Sequence, residues 1–293
     1  MALKILKSRI VPLATVNSVT SFIEAVGKAA APGGSVNAFR GQRNATWSTA
    51  PGILRPPQKL LDHEREIIRE LVSVHPQEFR DDHSMLDRLV RMQHFGLPTR
   101  LLDVTLNPLV ALYFATEPYG SKTLPDGIVM LYTIGKPSRK YYDSDAVACI
   151  ANLANLSTDE RQEIINSDPK GNIASFNGLD SVDRLLQFVK EEKPHFRSIL
   201  KRDDLFTPYY VVPKMSNRRI IAQSGAFIIH GLEENPDPAS GIRPVRRIKN
   251  QRIVIPQLSK LPIRRELEAL GINESTLFPE IDRAASYIVR RFS

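Results

Sequence analysis

The sequence predicts an α+β chain folded as a single large domain. Three observations predict it. Helical and strand-type apolar patterns alternate along the chain with no internal repeat. Hydrophobic residues make up 42% of the 293 residues and charged residues 25%, close to globular averages, which excludes disordered, collagen-like and coiled-coil classes. The length exceeds the usual ~150 residues of a domain, which leaves room for a large core with appendages. The one cysteine, Cys149, excludes a disulfide framework and a multi-cysteine zinc site, and points to a reducing compartment. No run approaches ~18 consecutive apolar residues, and the start MALKILKSRIVPLATV lacks a full apolar h-region and a small-residue cleavage site. A soluble, cytoplasmic protein with no metal and no membrane partner is expected.

Taken in order, residues 15–30 place Val19, Phe22, Ile23, Val26 and Ala29 at helical spacing, and Pro32-Gly33-Gly34 ends the helix. A strand is expected at 35–39. Residues 57–75 read as an amphipathic helix with Leu60, Leu61, Ile67, Ile68, Leu71 and Val72 against a charged face. A second helix spans 85–94, which Pro98 separates from the connector or short strand LPTRLLDVT. Pro108 suits the first turn of the next helix, 108–116, whose apolar residues on every side predict burial. A strand at 127–134 follows, then a helical insertion of about 144–195 with some three helices divided by SDPKGN and SFNGLDS. Strands are expected at 209–212, at 219–230 with a bend at Ser224-Gly225, and at 251–255. A helical tail over 259–293 holds a helix at 261–270 capped by Gly271 and a last helix at 281–291.

Three segments combine polar and apolar residues unusually. In Ala38-Phe39-Arg40-Gly41-Gln42, continuing to Pro51-Gly52-Ile53-Leu54-Arg55, an Arg-Gly at a strand end sets a guanidinium beside backbone that a ligand can approach, and a guanidinium grips phosphate or carboxylate in bidentate fashion. Between Arg91 and Asn107 lie His94, Thr99, Arg100, Asp103, Thr105 and Asn107, six hydrogen-bonding side chains next to a buried helix, where unpaired polar groups are costly. The third segment, 217–227, interrupts an apolar strand with Gln223 and Gly225.

Charge is concentrated as well. The chain has 40 Lys and Arg against 32 Asp and Glu. Between Arg243 and Arg265 the basic residues are Arg243, Arg246, Arg247, Lys249, Arg252, Lys260, Arg264 and Arg265, with no acid among them. Such a stretch suits RNA or DNA phosphates, with Arg246, Arg247, Lys249 and Arg252 as contacts, or forms a solvated basic edge.

The segments FRG at 39–41, HFGLPTRLLDVTLNPLVALYFA at 94–115, RIIAQSGAF at 219–227 and LGINESTLFPEID at 270–282 resemble the FRG-domain proteins, in the family's order. That resemblance implies an N-terminal helical segment over 1–34 and an FRG domain over 35–293. A more distant similarity is to arginine-type ADP-ribosyltransferases, which implies a small split mixed sheet. There Arg40-Gly41 resembles the Arg-Gly of the first core strand, and Asp103-Val104-Thr105 followed by LNPLVALYFA resembles the Ser-Thr-Ser strand and its sequel. The similarity implies NAD as substrate, with Arg40 on its pyrophosphate and Thr105 supporting Arg40 and the nicotinamide pocket. Tyr113 or Phe114 would form the wall, and Gly41, Gln42, Thr99, Arg100 and Gln223 would join the cofactor-binding set. Asp103, Thr105 and His94 would be the catalytic group. The Glu expected near Gln223-Ser224-Gly225 falls on Gly225, so either another carboxylate substitutes, with Asp103, Glu274 and Glu280 as candidates, or the pocket binds without catalysing. The implied role is a toxin or anti-phage defence effector with an antitoxin or regulatory partner. The alternative is a nucleotide- or nucleic-acid-binding sensor. No phosphate-loop, GxGxxG, HExxH or GxSxG motif occurs.

Overall fold

A computed structural model describes residues 12–29, 31–55, 59–118, 125–215, 217–233, 248–281, 285, 287 and 289. In chain order its elements are β1 (Ala14–Thr15), α1 (Val19–Lys28), β2 (Val36–Gln42), α2 (Glu64–Val74), α3 (Met85–His94), β3 (Leu101–Thr105), α4 (Pro108–Ala115), β4 (Gly127–Ile134) and β5 (Arg139–Tyr141). The insertion follows as α5 (Asp145–Asn152), α6 (Thr158–Asn166), α7 (Ile173–Asn177) and α8 (Asp180–Glu192). The remainder is α9 (Arg202–Leu205), β6 (Tyr209–Val212), α10 (Arg218–Ala222), β7 (Gly225–Ile229), β8 (Lys249–Ile255), α11 (Lys260–Ala269) and α12 (Glu274–Leu277).

The strands form one mixed eight-stranded sheet in the order β1-β8-β4-β2-β3-β7-β6-β5, so the fold is α+β and the sheet is larger than expected. Its two halves meet at a single residue pair, Phe39 of β2 with Thr105 of β3. β2 pairs with β4 from Val36 to Gln42, and β3 with β7 from Leu101 to Thr105, so each half is continuous by itself. Under the first half, α4, α1 and α11 bury Phe22, Ala111, Leu112 and Ile263 against Phe39, Leu131 and Ile253. Under the second, α3 and the insertion bury Leu89, Ile150 and Leu185 against Leu101, Phe227 and Ile229. The other face of the sheet carries Ala38, Leu102, Met130, Tyr132 and Ile228. Complete burial of a side chain such as Leu112 stabilises the fold by about 1.5–3 kcal/mol.

Several expectations are corrected. Residues 219–230 are not one strand. Asn217 Oδ1 accepts from Arg219 N at 2.7 Å and caps α10, and the chain then turns through Ser224 at φ 46° before β7 begins at Gly225. The helix expected over 57–75 is regular only from Glu64, after a 3-10 turn at Lys59–His63. The first helix starts at Val19 because Ser18 caps it, and Ala14–Thr15 instead extend the sheet beside β8. The insertion holds four α-helices where some three were expected. The last expected helix lies mostly outside the described residues. Gly41 is demanded by packing: a Cβ there would stand 1.8 Å from Ala111 O of α4.

Candidate functional site

Beyond the Phe39–Thr105 pair, β2 and β3 part, and side chains replace the missing strand pairing. Gln93 Nε2 donates to Leu101 O at 3.0 Å, and Arg40 Nη1 donates to Asp103 O at 2.7 Å. A cleft of about 220 Å³ opens at this gap, with Arg40, His94, Asp103, Phe114, Arg219 and Gln223 in its lining. Asp103 Oδ2 accepts from Gln93 Nε2 at 3.0 Å and stands 3.9 Å from Arg40 Nη1, with its side chain 57% exposed. Alternation along β3 explains this carboxylate: Leu102 and Val104 enter the core of one face, which turns Asp103 and Thr105 to the other, over the cleft.

The roof is α10 with the turn behind it. Asn217 Nδ2 lies 2.8 Å from His94 Nδ1. Because Asn217 Oδ1 is committed to Arg219 N, the amide donates to His94, so Nδ1 accepts and the ring proton sits on Nε2. Burial and then the neighbouring Arg219 guanidinium hold His94 below its usual pKa, which favours this neutral form. At the other end, Thr105 Oγ1 donates to Gln223 O at 2.6 Å, and Gln223 Nε2 donates to Leu277 O at 3.0 Å. Arg219 lies 4.9 Å from the centre of the Phe278 ring and 3.9 Å from Glu280. Arg219 and Phe114 also line an adjoining groove of about 840 Å³ that contains Arg264, Glu274 and Phe278.

Of the residues singled out in the sequence, Arg40, Gly41, His94, Asp103, Thr105 and Gln223 come together at the cleft. Gln42, Thr99, Arg100 and Tyr113 do not line it. Gln42 Nε2 is bound to Ser48 O, and Thr99 Oγ1 donates to Gln93 Oε1 at 2.6 Å, which orients Gln93 from behind. Arg100 is 1% exposed and paired with Glu64 at 2.5 Å. Tyr113 lies under Arg264, whose guanidinium is 4.0 Å from the ring centre, in the wall of the adjoining groove. Lys249 is exposed and Arg252 half-buried, on opposite faces of β8, while Arg246 and Arg247 lie outside the described residues. Gln93, Asn217 and Arg219 were missed as site residues. They lie within the segments singled out in the sequence, but only the α3 and α10 contacts aim them at one gap. Among the described residues, no group of three or more His, Cys, Asp or Glu is set to hold a metal, and no helix is long and apolar enough to cross a membrane. Cys149 is buried in the insertion, which pushes its thiol up to about 12.

A split α+β sheet with an arginine and a carboxylate facing each other across the gap defines the class of site. Residues 35–123 match the family model of the FRG domain, a stretch that includes Arg40, His94, Asp103, Thr105 and Phe114. Over those residues the chain is similar to the FRG domain. No curated protein and no solved structure matches it.

Proposed function

We propose that the cleft binds NAD and that the protein is an ADP-ribosyltransferase-like effector, with Asp103 as the working carboxylate. The observation that carries this reading is the meeting of Arg40 and Asp103 where β2 and β3 part. Arg40 Nε is buried with no hydrogen-bond partner among the described residues, and a guanidinium fork suits phosphate oxygens. The cleft volume of about 220 Å³ falls below the roughly 300–1,000 Å³ of sites that enclose a whole drug-sized ligand. It therefore holds the nicotinamide riboside end, and the rest of the dinucleotide runs outward past Arg40.

In the reaction the bond between nicotinamide nitrogen and ribose C1′ breaks and its electron pair leaves with neutral nicotinamide. An acceptor lone pair then forms the new bond to C1′, and the acceptor proton passes to Asp103 or to solvent. Asp103, exposed and oriented by Gln93, faces the positive charge that develops on the ribose. A specific observation favours a second reading, binding without transfer: Gly225 stands opposite Thr105 in the pairing of β7 with β3, where the related pattern expects a Glu. Calorimetric titration with NAD, combined with a nicotinamide-release assay, separates the two. Binding with release supports transfer, binding without release supports a sensor, and no binding removes NAD from the cleft.

A further inference from the structure

We propose that a cavity of about 640 Å³ at the end of the helical insertion binds a small amphipathic monoanion, an apolar chain or ring that carries one carboxylate. The cavity lies between α5, α9 and the loop of residues 193–200, and no residue lines both it and the cleft. The inference therefore stands apart from the NAD reading. The volume falls within the roughly 300–1,000 Å³ of sites that enclose a small molecule. The loop is held at its two ends. Lys193 Nζ donates to Asp143 O and to Asp145, both at 2.5 Å, and Asn177 bonds the backbone of Leu200 in both directions, at 2.8 and 2.9 Å. Between those anchors Phe196 packs onto the hydrophobic core, and with Ala146, Cys149 and Leu200 it gives the cavity an apolar lining. The Cys149 thiol belongs to that lining because burial keeps it uncharged at neutral pH. Ile199 lines the same space yet is 63% exposed, so an apolar ligand group that covers it gains by removing that surface from water.

Charge selects the head group. The two carboxylates of the lining have partners within the protein: Asp145 takes the Lys193 bond, and Asp204 Oδ1 accepts from the Tyr209 hydroxyl at 3.0 Å. Arg197 and His195 also line the cavity, and among the described residues neither side chain makes a hydrogen bond or an ion pair. Residues 193–202 contain no Asp or Glu that could claim them locally. One unspent guanidinium, with an imidazole in the same lining, suits a single carboxylate held by two parallel bonds. The apolar part of the ligand then lies against Phe196, Leu200 and Ile199. An ammonium head group would instead be repelled by Arg197.

The test is calorimetric titration of the full chain with sodium octanoate below its micelle concentration and, separately, with octylammonium chloride and with 1-octanol. Octanoate is expected to bind one to one, at least tenfold more tightly than either of the others. Arg197 is exposed, so Arg197→Gln should leave the melting curve unchanged and weaken octanoate at least fivefold, with no effect on 1-octanol. Ala146→Leu fills the apolar part of the cavity and should weaken octanoate at least tenfold. If melting curves show that Ala146→Leu does not fold, Ile199→Ser at its exposed position takes its place. Absence of octanoate binding by the wild type, or unchanged affinity in a folded variant, overturns the site. Tighter binding of octylammonium, or equal affinity for octanoate and 1-octanol, overturns the anionic head group. NAD takes no part in the titration, so this site and the cleft reading can each fail without the other.

Discussion

Arg40 holds the two halves of the gap together through one nitrogen and keeps another, Nε, buried without a partner. Arg40→Lys retains charge but loses the fork, and is expected to weaken NAD binding by about 1–3 kcal/mol, measured by titration calorimetry on protein with an unchanged melting curve. Unchanged affinity would remove Arg40 from the site. His94 makes a pH prediction. Its folded pKa lies below the ordinary 6.5 because of burial first and Arg219 second, with Asp103 and Glu280 acting in the opposite direction and Arg91 with Arg219. The folded state therefore binds fewer protons than the unfolded chain. The stability that neutral His94 contributes is present above pH ~6.5 and is lost as pH falls through the lower folded value. Thermal melts from pH 8 to 5 should decline less steeply in His94→Gln than in the wild type, and parallel curves would show that His94 carries none of the dependence.

At the scale of elements, the turn between α10 and β7 and the contact of β2 with α4 both border the cleft. Ser224 occupies the left-handed region at φ 46°, which costs an L-residue roughly 1–2 kcal/mol. Ser224→Gly relieves that strain against the added entropy of glycine in the unfolded chain, so a net gain of up to ~1 kcal/mol in urea unfolding is expected. A loss of stability would mean that the serine side chain holds the turn. Gly41→Ala acts in the opposite direction. The new Cβ would meet Ala111 O at 1.8 Å, and β2 must lift off α4 to admit it. A loss of about 1–3 kcal/mol or more is expected from such overpacking, read from the same unfolding curves.

For the molecule as a whole, the insertion is locked to the sheet by a buried charge cluster. Glu64 at the start of α2 pairs with Arg100 before β3 at 2.5 Å and with Arg161 of α6 at 3.3 Å. Arg161 also donates to Leu61 O and Leu156 O, and Arg100 to Gly231 O at 3.3 Å. His230 beside them is pushed down to about 4 by burial and then by Arg100, so it adds no further positive charge at neutral pH. Glu64→Gln leaves two buried guanidiniums without their carboxylate, and a loss of about 3–5 kcal/mol is expected by chemical denaturation. A loss under ~1 kcal/mol would mean that the carbonyl contacts alone hold the insertion in place.

Local patterns determined much of this protein. The 85–94 and 127–134 elements match α3 and β4 to the residue, and the apolar run expected as a helix at 108–116 became the buried α4, because period and capping are properties of neighbours in the chain. Arg40, His94 and Asp103 stood out as polar groups beside apolar runs, and they do line one cleft. Tertiary contacts decided the rest. Arg100 and Thr99 belong to the same polar-rich segment as Asp103, yet burial against Glu64 and the back of Gln93 took them away from the cleft. Residues 219–222 carry an apolar pattern that suits a strand, but Asn217, fixed by His94 across the fold, caps them as a helix. Gly41 reads as an invitation to a ligand until α4 is seen to lie against it. A sequence records which groups are polar, whereas the partner that satisfies each one is chosen by packing among residues far apart in the chain.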